Sequence, residues 1–430
     1  MNNNPGKILN DSPMGIRQIL VVGICVLLTA LDGFDVLSIS FASPGIAKDW
    51  GIDRAALGVV LSMELIGMAL GSIFLGNMAD RVGRRPIIIF CLLVMATGMF
   101  MAGSAQSVNN LLIHRFYTGL AIGGMLASTN AMVAEFSNSK RRNLSVILMA
   151  AGYPLGVIIG GVFAVNLLQD NSWRSIFVFG GTATLCFLPF VYWLLPESVA
   201  YLNSRRPSNA INRINATLKI LGHAQIAQLP EVGTQQKTSI SELLKPSLIR
   251  STVLLTFAYF MHIMTFYFIL KWVPKIVVDM GFSPSLAGSV LVWANVGGLL
   301  GCITLGLLSN RFQIKTLLVF IFLGSSLMVM LFGSEQQSLT QLSVVVAVAG
   351  FFTNAGVVGL YALFAQYFPD ALRASGSGFA IGFGRGGAAI SPILAGLLFA
   401  AGYGLQSISV LMALGSALAA ITILFLVTKR

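Results

Sequence analysis

The sequence predicts an all-α membrane protein with twelve transmembrane helices in two pseudo-symmetric six-helix bundles. Composition is the first indication, because 56% of the 430 residues are apolar and only 10% are charged, and the mean hydropathy is +0.83. Soluble domains carry about 25% charged residues. The other two indications are a series of long apolar runs and a set of matching positions in the two halves of the chain.

Each apolar run is long enough to cross a bilayer, which takes roughly 20 residues per helix. The predicted spans are 16–41, 55–79, 86–105, 109–135, 143–168, 173–195, 250–273, 284–309, 315–333, 338–366, 374–401 and 405–427. One polar stretch separates six spans from six. We therefore divide the chain into an N-terminal bundle (1–195), a linker loop (196–249) and a C-terminal bundle (250–430).

The positive charges agree with a topology that places both termini in the cytoplasm. This topology puts 20 of the 27 Lys and Arg residues on the cytoplasmic side, four outside and three within spans. Such an imbalance is what the positive-inside rule describes. The net charge of +12 is therefore explained by topology, and we expect no nucleic-acid partner.

Three pairs of positions match between the halves at nearly constant spacing. With offsets of 230 or 231 residues, they are Gly76–Arg81 with Gly306–Arg311, Glu135–Phe136 with Gln366–Tyr367, and Arg142 with Arg373. A duplicated six-helix unit accounts for this pattern. Two such repeats enclosing a site near the middle of the membrane form the architecture of rocking transporters.

Two carboxylates lie in the middle of the first span, in the stretch Leu31-Asp32-Gly33-Phe34-Asp35. Residues at i and i+3 share one face of a helix. An ionised carboxylate in hydrocarbon costs at least about 2.5–3.5 kcal/mol, so this face must look into protein or a wet cavity. We expect a central polar cluster that joins these carboxylates to the few cations within spans, namely Arg115, Lys271 and Arg385.

The segment Gly76–Pro86 reads G-N-M-A-D-R-V-G-R-R-P. It resembles the loop between helices 2 and 3 of the major facilitator superfamily. A glycine at its start allows close helix contact, and its aspartate can accept hydrogen bonds from neighbouring arginines or a helix end. The resemblance assigns a gating role to Gly76, Asp80, Arg81, Gly83, Arg84 and Arg85.

The segment Arg115–Gly124, R-F-Y-T-G-L-A-I-G-G, resembles the R-x-x-x-G-x-x-x-G motif of the same superfamily. The arginine of that motif is associated with proton coupling, and its glycines permit close helix packing. The alternative is that Arg115 snorkels to the outer interface. We expect Asp32 and Asp35 to carry the proton beside Arg115, with Glu135 and Glu64 as the next candidates.

In the eleventh span, Gly382–Pro392 reads G-F-G-R-G-G-A-A-I-S-P. The guanidinium of Arg385 can bind a carboxylate through two hydrogen bonds; the alternative is a structural ion pair with Asp32, Asp35 or Glu135. Together with the D-G-F-D of the first span, this motif resembles the aromatic acid:proton symporter family. The resemblance covers nearly the whole chain and is weakest in the linker.

Four further residues are candidates for substrate binding. Lys271 stands where a neutral residue is expected, and it either snorkels outward or faces the cavity as a second cation. Tyr267 belongs to an aromatic set of which one or two members can stack on a ring. The side-chain amides of Asn130 and Asn354 can bind a carboxylate or a hydroxyl group.

The resemblance implies a proton-coupled symporter that imports a small aromatic or related organic acid anion across a bacterial inner membrane by alternating access. It implies a functional monomer that uses protons as the coupling ion and holds no cofactor or metal. A proton antiporter that exports drugs or metabolites remains an alternative. A membrane receptor is disfavoured because no sizeable signalling domain is present. An enzyme is not expected, because no nucleophile–base pair, metal set or phosphate loop is visible.

Overall fold

The computed structural model describes residues 4–230, 240–246, 248–334, 336, 338–369 and 372–426. Within these residues the regular structure is entirely helical, which confirms the all-α fold. The α-helices are α1 (Pro5–Asp11), α2 (Ile16–Trp50), α3 (Arg54–Val82), α4 (Arg84–Gly103), α5 (Val108–Phe136), α6 (Arg142–Asp170), α7 (Arg174–Leu194), α8 (Val199–Arg205), α9 (Ala210–Leu221), α10 (Ile249–Asp279), α11 (Pro284–Leu308), α12 (Ile314–Phe332), α13 (Leu339–Tyr367), α14 (Arg373–Ala400) and α15 (Leu405–Leu424).

The twelve predicted spans correspond to the twelve long helices, α2–α7 in the first half of the chain and α10–α15 in the second. Of the described helices, eleven are long and apolar enough to cross a membrane. The remaining long helix, α5, carries Asn109, Asn110, His114 and Arg115 in its first turns. The protein is therefore a multi-pass membrane protein.

Two helices run further than their predicted ends. Helix α2 continues from residue 41 to Trp50 through Pro44, and α10 continues from residue 273 to Asp279 through Pro274. Proline is tolerated inside transmembrane helices because neighbouring helices and side chains satisfy the freed backbone groups. Both prolines therefore lie inside helices.

Corresponding helices pack in the same way in each half. Helix α3 packs on α5 as α11 packs on α13, α2 packs on α6 as α10 packs on α14, and α4 packs on α7 as α12 packs on α15. This pairing agrees with a duplicated unit. The exact domain boundaries remain a prediction, and the linker is not only a loop, since it contains α8, α9 and a 3-10 helix at Ile240–Leu244.

The two halves contact each other mainly at one end. We call the end where α7 finishes and α10 begins the linker end, and the opposite end the far end. Arg54 at the start of α3 pairs with Asp279 at the end of α10 at 2.9 Å, and its guanidinium lies 4.9 Å from the ring centre of Phe399 in α14. A Cβ placed on Gly58 of α3 would lie 2.6 Å from the carbonyl oxygen of Pro392. The ion pairs that described side chains make between α2–α7 and α10–α15 lie toward the far end, as do the hydrogen bonds that Arg54 and Lys271 make across the same division, so the space between the halves opens toward the linker end.

Candidate functional site

Six charged side chains from five helices meet in the middle of the bundle. Helix α2 contributes Asp32 and Asp35. The other four are Glu64 of α3, Arg115 of α5, Lys271 of α10 and Arg385 of α14. All except Arg385 are at most 1% exposed, and Arg385 is half-buried. The sequence-predicted polar cluster is therefore present as a group of three acids and three cations.

Arg115 is held inside the first half of the protein. It forms an ion pair with Glu64, in which both side chains are 0% exposed, and its Nη2 donates to the backbone oxygen of Asp35 at 2.8 Å. Its Nη1 lies 3.1 Å from Sδ of Met99, and its guanidinium lies over the ring of Phe177 at 5.3 Å. Arg115 therefore does not snorkel to the outer interface, and Glu64 rather than an α2 carboxylate is its ion-pair partner.

The glycine of the R-x-x-x-G motif brings Arg115 and Glu64 together. A Cβ on Gly119 would lie 2.2 Å from the backbone oxygen of Glu64. Because only glycine fits such a contact, α5 can approach α3 where Glu64 projects. Gly33 has a similar role between the two aspartates, since a Cβ there would lie 2.3 Å from the backbone oxygen of Tyr153 in α6.

Lys271 links the two halves. Its side chain is 0% exposed, its Nζ donates to the backbone oxygen of Val36 in α2, and the same Nζ lies 3.9 Å from Oε2 of Glu64 in α3. Lys271 therefore points into the protein rather than outward. Glu64 stands between two cations, Arg115 from its own half and Lys271 from the other.

The carboxylates of Asp32 and Asp35 have different surroundings. Asp32 interacts electrostatically with Arg385, and Asp35 interacts with Arg115. A Cβ on Gly180 of α7 would lie 3.3 Å from Oδ1 of Asp35, so Asp35 faces the inside of the first half. Among the described residues, no hydrogen-bond donor reaches any of the four carboxylate oxygens. A buried carboxyl group without donors is costly in its ionised form.

Arg385 interacts with two tyrosines of α10, which in turn lie beside tyrosines of α6 and α13. Its charge interacts with Asp32, with Tyr259 and with Tyr267. The hydroxyl oxygens of Tyr259 and Tyr361 are 3.2 Å apart, and the hydroxyl groups of Tyr153 and Tyr267 are neighbours. No described acidic side chain lies within 4.0 Å of the Arg385 guanidinium, so none of Asp32, Asp35 and Glu135 forms the structural ion pair that the sequence left open.

The two candidate amides do not join the group around Arg385. Nδ2 of Asn130 donates to the oxygen of Leu126 in its own helix at 3.2 Å. Nδ2 of Asn354 donates to the oxygen of Gly350 at 3.0 Å, and its side chain packs against Gly298 of α11. In this conformation both amides are satisfied by helix carbonyl groups.

Glu135 lies at the linker end with the predicted gating loop, away from the central cluster. Its carboxylate pairs with Arg84 at 3.0 Å and accepts hydrogen bonds from Oγ of Ser198 at 2.6 Å and the N–H of Ala200 at 2.7 Å. Arg84 also lies 3.8 Å from Asp80. These contacts join the loop between α3 and α4 to the end of α5 and the start of α8.

Glu197 caps the helix that follows this loop. Its Oε1 accepts from the backbone N–H groups of Arg84 at 2.9 Å and Arg85 at 3.2 Å. Gly83 between α3 and α4 has φ +119°, which a residue with a Cβ adopts only with strain. Nε of Arg205 donates to the oxygen of Asp80 at 2.9 Å.

Glu64 is more central to the site than its place in the sequence indicated. The available signal was a lone acid in an apolar span, which is rare unless it is paired or functional. The glycines after Arg115 predicted close packing of α5 on another helix, but the spacing along one chain did not say which helix. The identity of the partner emerges only from the packing of α3 on α5.

Comparisons with known proteins agree with this architecture. A sequence model described as the Major Facilitator Superfamily matches residues 25–333 and 255–430. The chain is 29% identical to the gallate transporter of Pseudomonas putida over 97% of the chain and 93% of that protein. It is 30% identical to the 4-hydroxybenzoate transporter PcaK of Pseudomonas aeruginosa over 97% and 94%. It is 26% identical to the benzoate transport protein of Acinetobacter baylyi over 92% and 86%.

A solved structure of the xylose transporter XylE from E. coli, in an inward open conformation, has a similar fold. The TM-score is 0.72 at 18% sequence identity, and the match covers 96% of this chain and 97% of that one. At this identity the likeness concerns the fold alone. With the family match over most of the sequence, these findings establish that the chain belongs to the Major Facilitator Superfamily.

Proposed function

We propose that the protein is a proton-coupled symporter that imports a small aromatic acid anion by alternating access. It lies in a bacterial inner membrane with both termini in the cytoplasm, and it works as a monomer. The names of its relatives support the substrate class, because they are transporters of gallate, 4-hydroxybenzoate and benzoate. The excess of Lys and Arg at the linker end supports the orientation.

The observation that carries the proposal is the environment of Arg385. It is a half-buried cation near the middle of α14, with no described acid in ion-pair distance and with an electrostatic interaction with Tyr259 and Tyr267 of α10. A guanidinium in this setting can bind a carboxylate through two parallel hydrogen bonds. The tyrosine rings offer faces for an aromatic ring, and their hydroxyl groups offer partners for a ring hydroxyl. A site for a cationic drug would instead need an excess of acids.

The charges of the central cluster suggest how a proton is coupled to the anion. With every group ionised, the three acids balance the three cations. A bound monocarboxylate adds one negative charge, and net charge is costly in an interior of low dielectric constant. Binding one proton at Asp32 or Asp35 restores neutrality. We therefore expect one proton to accompany each monocarboxylate when the loaded carrier reorients.

The contact between the halves suggests what must break during the cycle. The conformation described here is closed at the far end, where Lys271 contacts Val36 and Glu64. Alternating access requires this end to open. Lys271 must then leave both partners, and water that enters from the far end can replace them. We infer that Lys271 stabilises the conformation that is open toward the cytoplasm, and that Glu135 and Arg84 act at the linker end by holding the gating loop.

Uptake by purified protein in proteoliposomes tests the proposal. Radiolabelled 4-hydroxybenzoate should accumulate when the outside is made acidic, and a protonophore should abolish the accumulation. Unlabelled gallate and benzoate should compete, whereas xylose should not. Accumulation that is driven by an outward proton gradient but not by an inward one would favour the export alternative. Binding of these acids without any uptake would contradict transport.

A further inference from the structure

A cavity lies outside the central charged cluster, on the side of the first half at the linker end. Its volume is about 620 Å³, and it lies between the start of α2, the end of α7 and α9. The residues that matter here are three arginines, Arg17, Arg85 and Arg213, and an apolar wall that includes Ile16, Leu20 and Trp193. None of them belongs to the central charged cluster or to the tyrosines around Arg385.

This cavity lies at the boundary between the membrane and water. Helix α2 begins at Ile16, and α7 ends at Leu194, so the two helices meet the aqueous phase at this level. Ile16 is 76% exposed and Trp193 is 77% exposed. Large apolar side chains with this exposure need a hydrocarbon partner, and tryptophan is enriched at the level of lipid headgroups. The apolar wall of the cavity is therefore suited to contact with acyl chains.

The cavity has an excess of positive charge, because three arginines and one glutamate line it. Glu197 is the acidic residue among its lining residues, and its Oε1 is already occupied by the N–H groups of Arg84 and Arg85 and of Ser198 at 2.8 Å. Within the described part of the chain, the side chains of Arg17 and Arg213 have no acidic partner.

Arg85 is only partly satisfied. Its Nη2 donates to the backbone oxygen of Tyr192 at 2.5 Å, but its buried Nε has no hydrogen-bond partner among the described residues. Because a buried donor without an acceptor is unfavourable, this atom marks a place where an acceptor from outside the chain would fit.

Helix α9 completes the cavity because it is amphipathic. Its buried residues include Ile214, Leu218 and Leu221, whereas Arg213 and Ile220 are exposed. A hydrogen bond of 2.9 Å between His223 and Gln18 of α2 attaches the end of this segment to the first half. The linker thus places a third guanidinium opposite the first turns of α2.

We propose that this cavity binds an anionic phospholipid from the leaflet at the linker end. The phosphate group lies among Arg17, Arg85 and Arg213, and an acyl chain runs along Ile16, Leu20 and Trp193. Basic pockets beside transmembrane helices are suited to anionic headgroups, because each nearby Lys or Arg attracts the lipid electrostatically. The bound lipid joins α9 to α2 and α7 and so fixes the linker to the first half. This proposal does not depend on the identity of the transported substrate.

The test compares lipid retention by two matched variants in native mass spectrometry. Arg17→Gln/Arg213→Gln removes two charges from the cavity. Lys140→Gln/Arg311→Gln removes two exposed charges from the same end of the protein, outside the cavity. We expect the parent and the control to retain one phosphatidylglycerol in preference to phosphatidylcholine. We expect the cavity variant to bind phosphatidylglycerol about tenfold more weakly or worse.

Equal retention of phosphatidylglycerol by the cavity variant and the parent would overturn the proposal. An equal loss of the lipid in the control variant would also overturn it, because the attraction would then come from diffuse surface charge. Glycerol 3-phosphate, which is the headgroup without chains, should not raise the thermal midpoint of the parent. If it stabilises the parent as much as phosphatidylglycerol does, the cavity is a simple anion site and not a lipid site.

A second measurement does not depend on how well the arginine variants fold. Phosphatidylglycerol with brominated chains should quench the fluorescence of Trp193 at lower lipid fractions than brominated phosphatidylcholine does. The difference should disappear in Trp193→Phe. Equal quenching by the two lipids would show that no selective site lies beside Trp193.

Discussion

Lys271 of α10 lies 3.9 Å from Glu64 of α3, across the division between the two halves of the protein. Both side chains are 0% exposed, and Glu64 also pairs with Arg115. Removing one member of such a buried group of charges is expected to lower the stability of the protein, because the charges that remain are no longer fully balanced. Glu64 therefore connects the packing of the first half to the closure of the far end.

Lys271→Met should weaken the closure of the far end. The methionine keeps most of the length of the side chain but removes the charge and the hydrogen bond to Val36. Spin labels can be attached at Asn171→Cys and Met280→Cys, which are both exposed positions at the far end. The distribution of distances between the two labels should shift toward longer distances. Cys186 is the exposed native cysteine and is replaced first. Lys48→Met, which removes an exposed far-end charge, serves as the control and should leave the distance distribution of the parent unchanged. An unchanged distribution in the Lys271 variant would contradict the role of this residue in closure.

Glu64→Gln should destabilise the protein by an amount on the order of 3–5 kcal/mol, because it leaves two buried cations without their carboxylate. The double variant Glu64→Gln/Lys271→Met removes one of these cations as well. We expect its thermal midpoint in detergent to lie above that of Glu64→Gln alone. Additive losses in this double-mutant cycle would mean that the two side chains do not interact.

Gly156→Ala should separate α2 from α6. A Cβ at this position would lie 1.8 Å from the backbone oxygen of Ala30, and a backbone atom cannot rotate away. Overpacking of this kind costs about 1–3 kcal/mol, so the thermal midpoint should fall. Gly23→Ala in α2 is the matched control, because a Cβ there has no atom within 4 Å. Equal thermal midpoints in the two variants would contradict the close approach of α2 and α6 at Gly156.

Arg385→Lys should weaken substrate binding about tenfold to a hundredfold, because a point charge replaces a planar donor that binds a carboxylate at two atoms. Isothermal titration with the acid that proves best in uptake measures the change in affinity. Arg311→Lys, at an exposed position of the linker end, should bind like the parent. An Arg385→Lys protein that binds with the parental affinity would exclude Arg385 as the anchor of the carboxylate.

Much of the fold could be predicted from the sequence because it rests on local signals. Apolar runs and charge placement gave the spans, and the D-G-F-D and G-R-G-G stretches placed Asp32 and Arg385 near the middle of their helices. Helix ends were less predictable, since Pro44 and Pro274 lie inside helices, and neighbouring helices in a membrane protein can satisfy the backbone groups that a proline frees.

The partners of the site residues could not be predicted, because they depend on which helix faces lie against each other. Arg115 pairs with Glu64 of α3 rather than with a carboxylate of α2, although both arrangements fit the sequence. Asn354 is as central along its helix as Arg385, yet its rotation about the helix axis turns it toward Gly298 of α11. Such relationships depend on contacts between helices that are far apart in the sequence.

The central claim is that Asp32 or Asp35 carries the proton that accompanies the substrate. Asparagine at either position reproduces the shape of the protonated side chain but has no exchangeable proton on a carboxyl group. The single variants Asp32→Asn and Asp35→Asn should therefore bind substrate. In at least one of them, exchange of internal for external substrate should persist while accumulation driven by a proton gradient is lost.

Substrate-induced alkalinisation outside proteoliposomes tests this claim most directly. The parent should take up one proton with each monocarboxylate, and at least one of the two Asn variants should take up substrate by exchange without any change in external pH. If both single variants move protons at the parental ratio, neither aspartate is the carrier. If both lose binding and exchange together, the aspartates only hold Arg115 or Arg385 in place, and the account of coupling is contradicted.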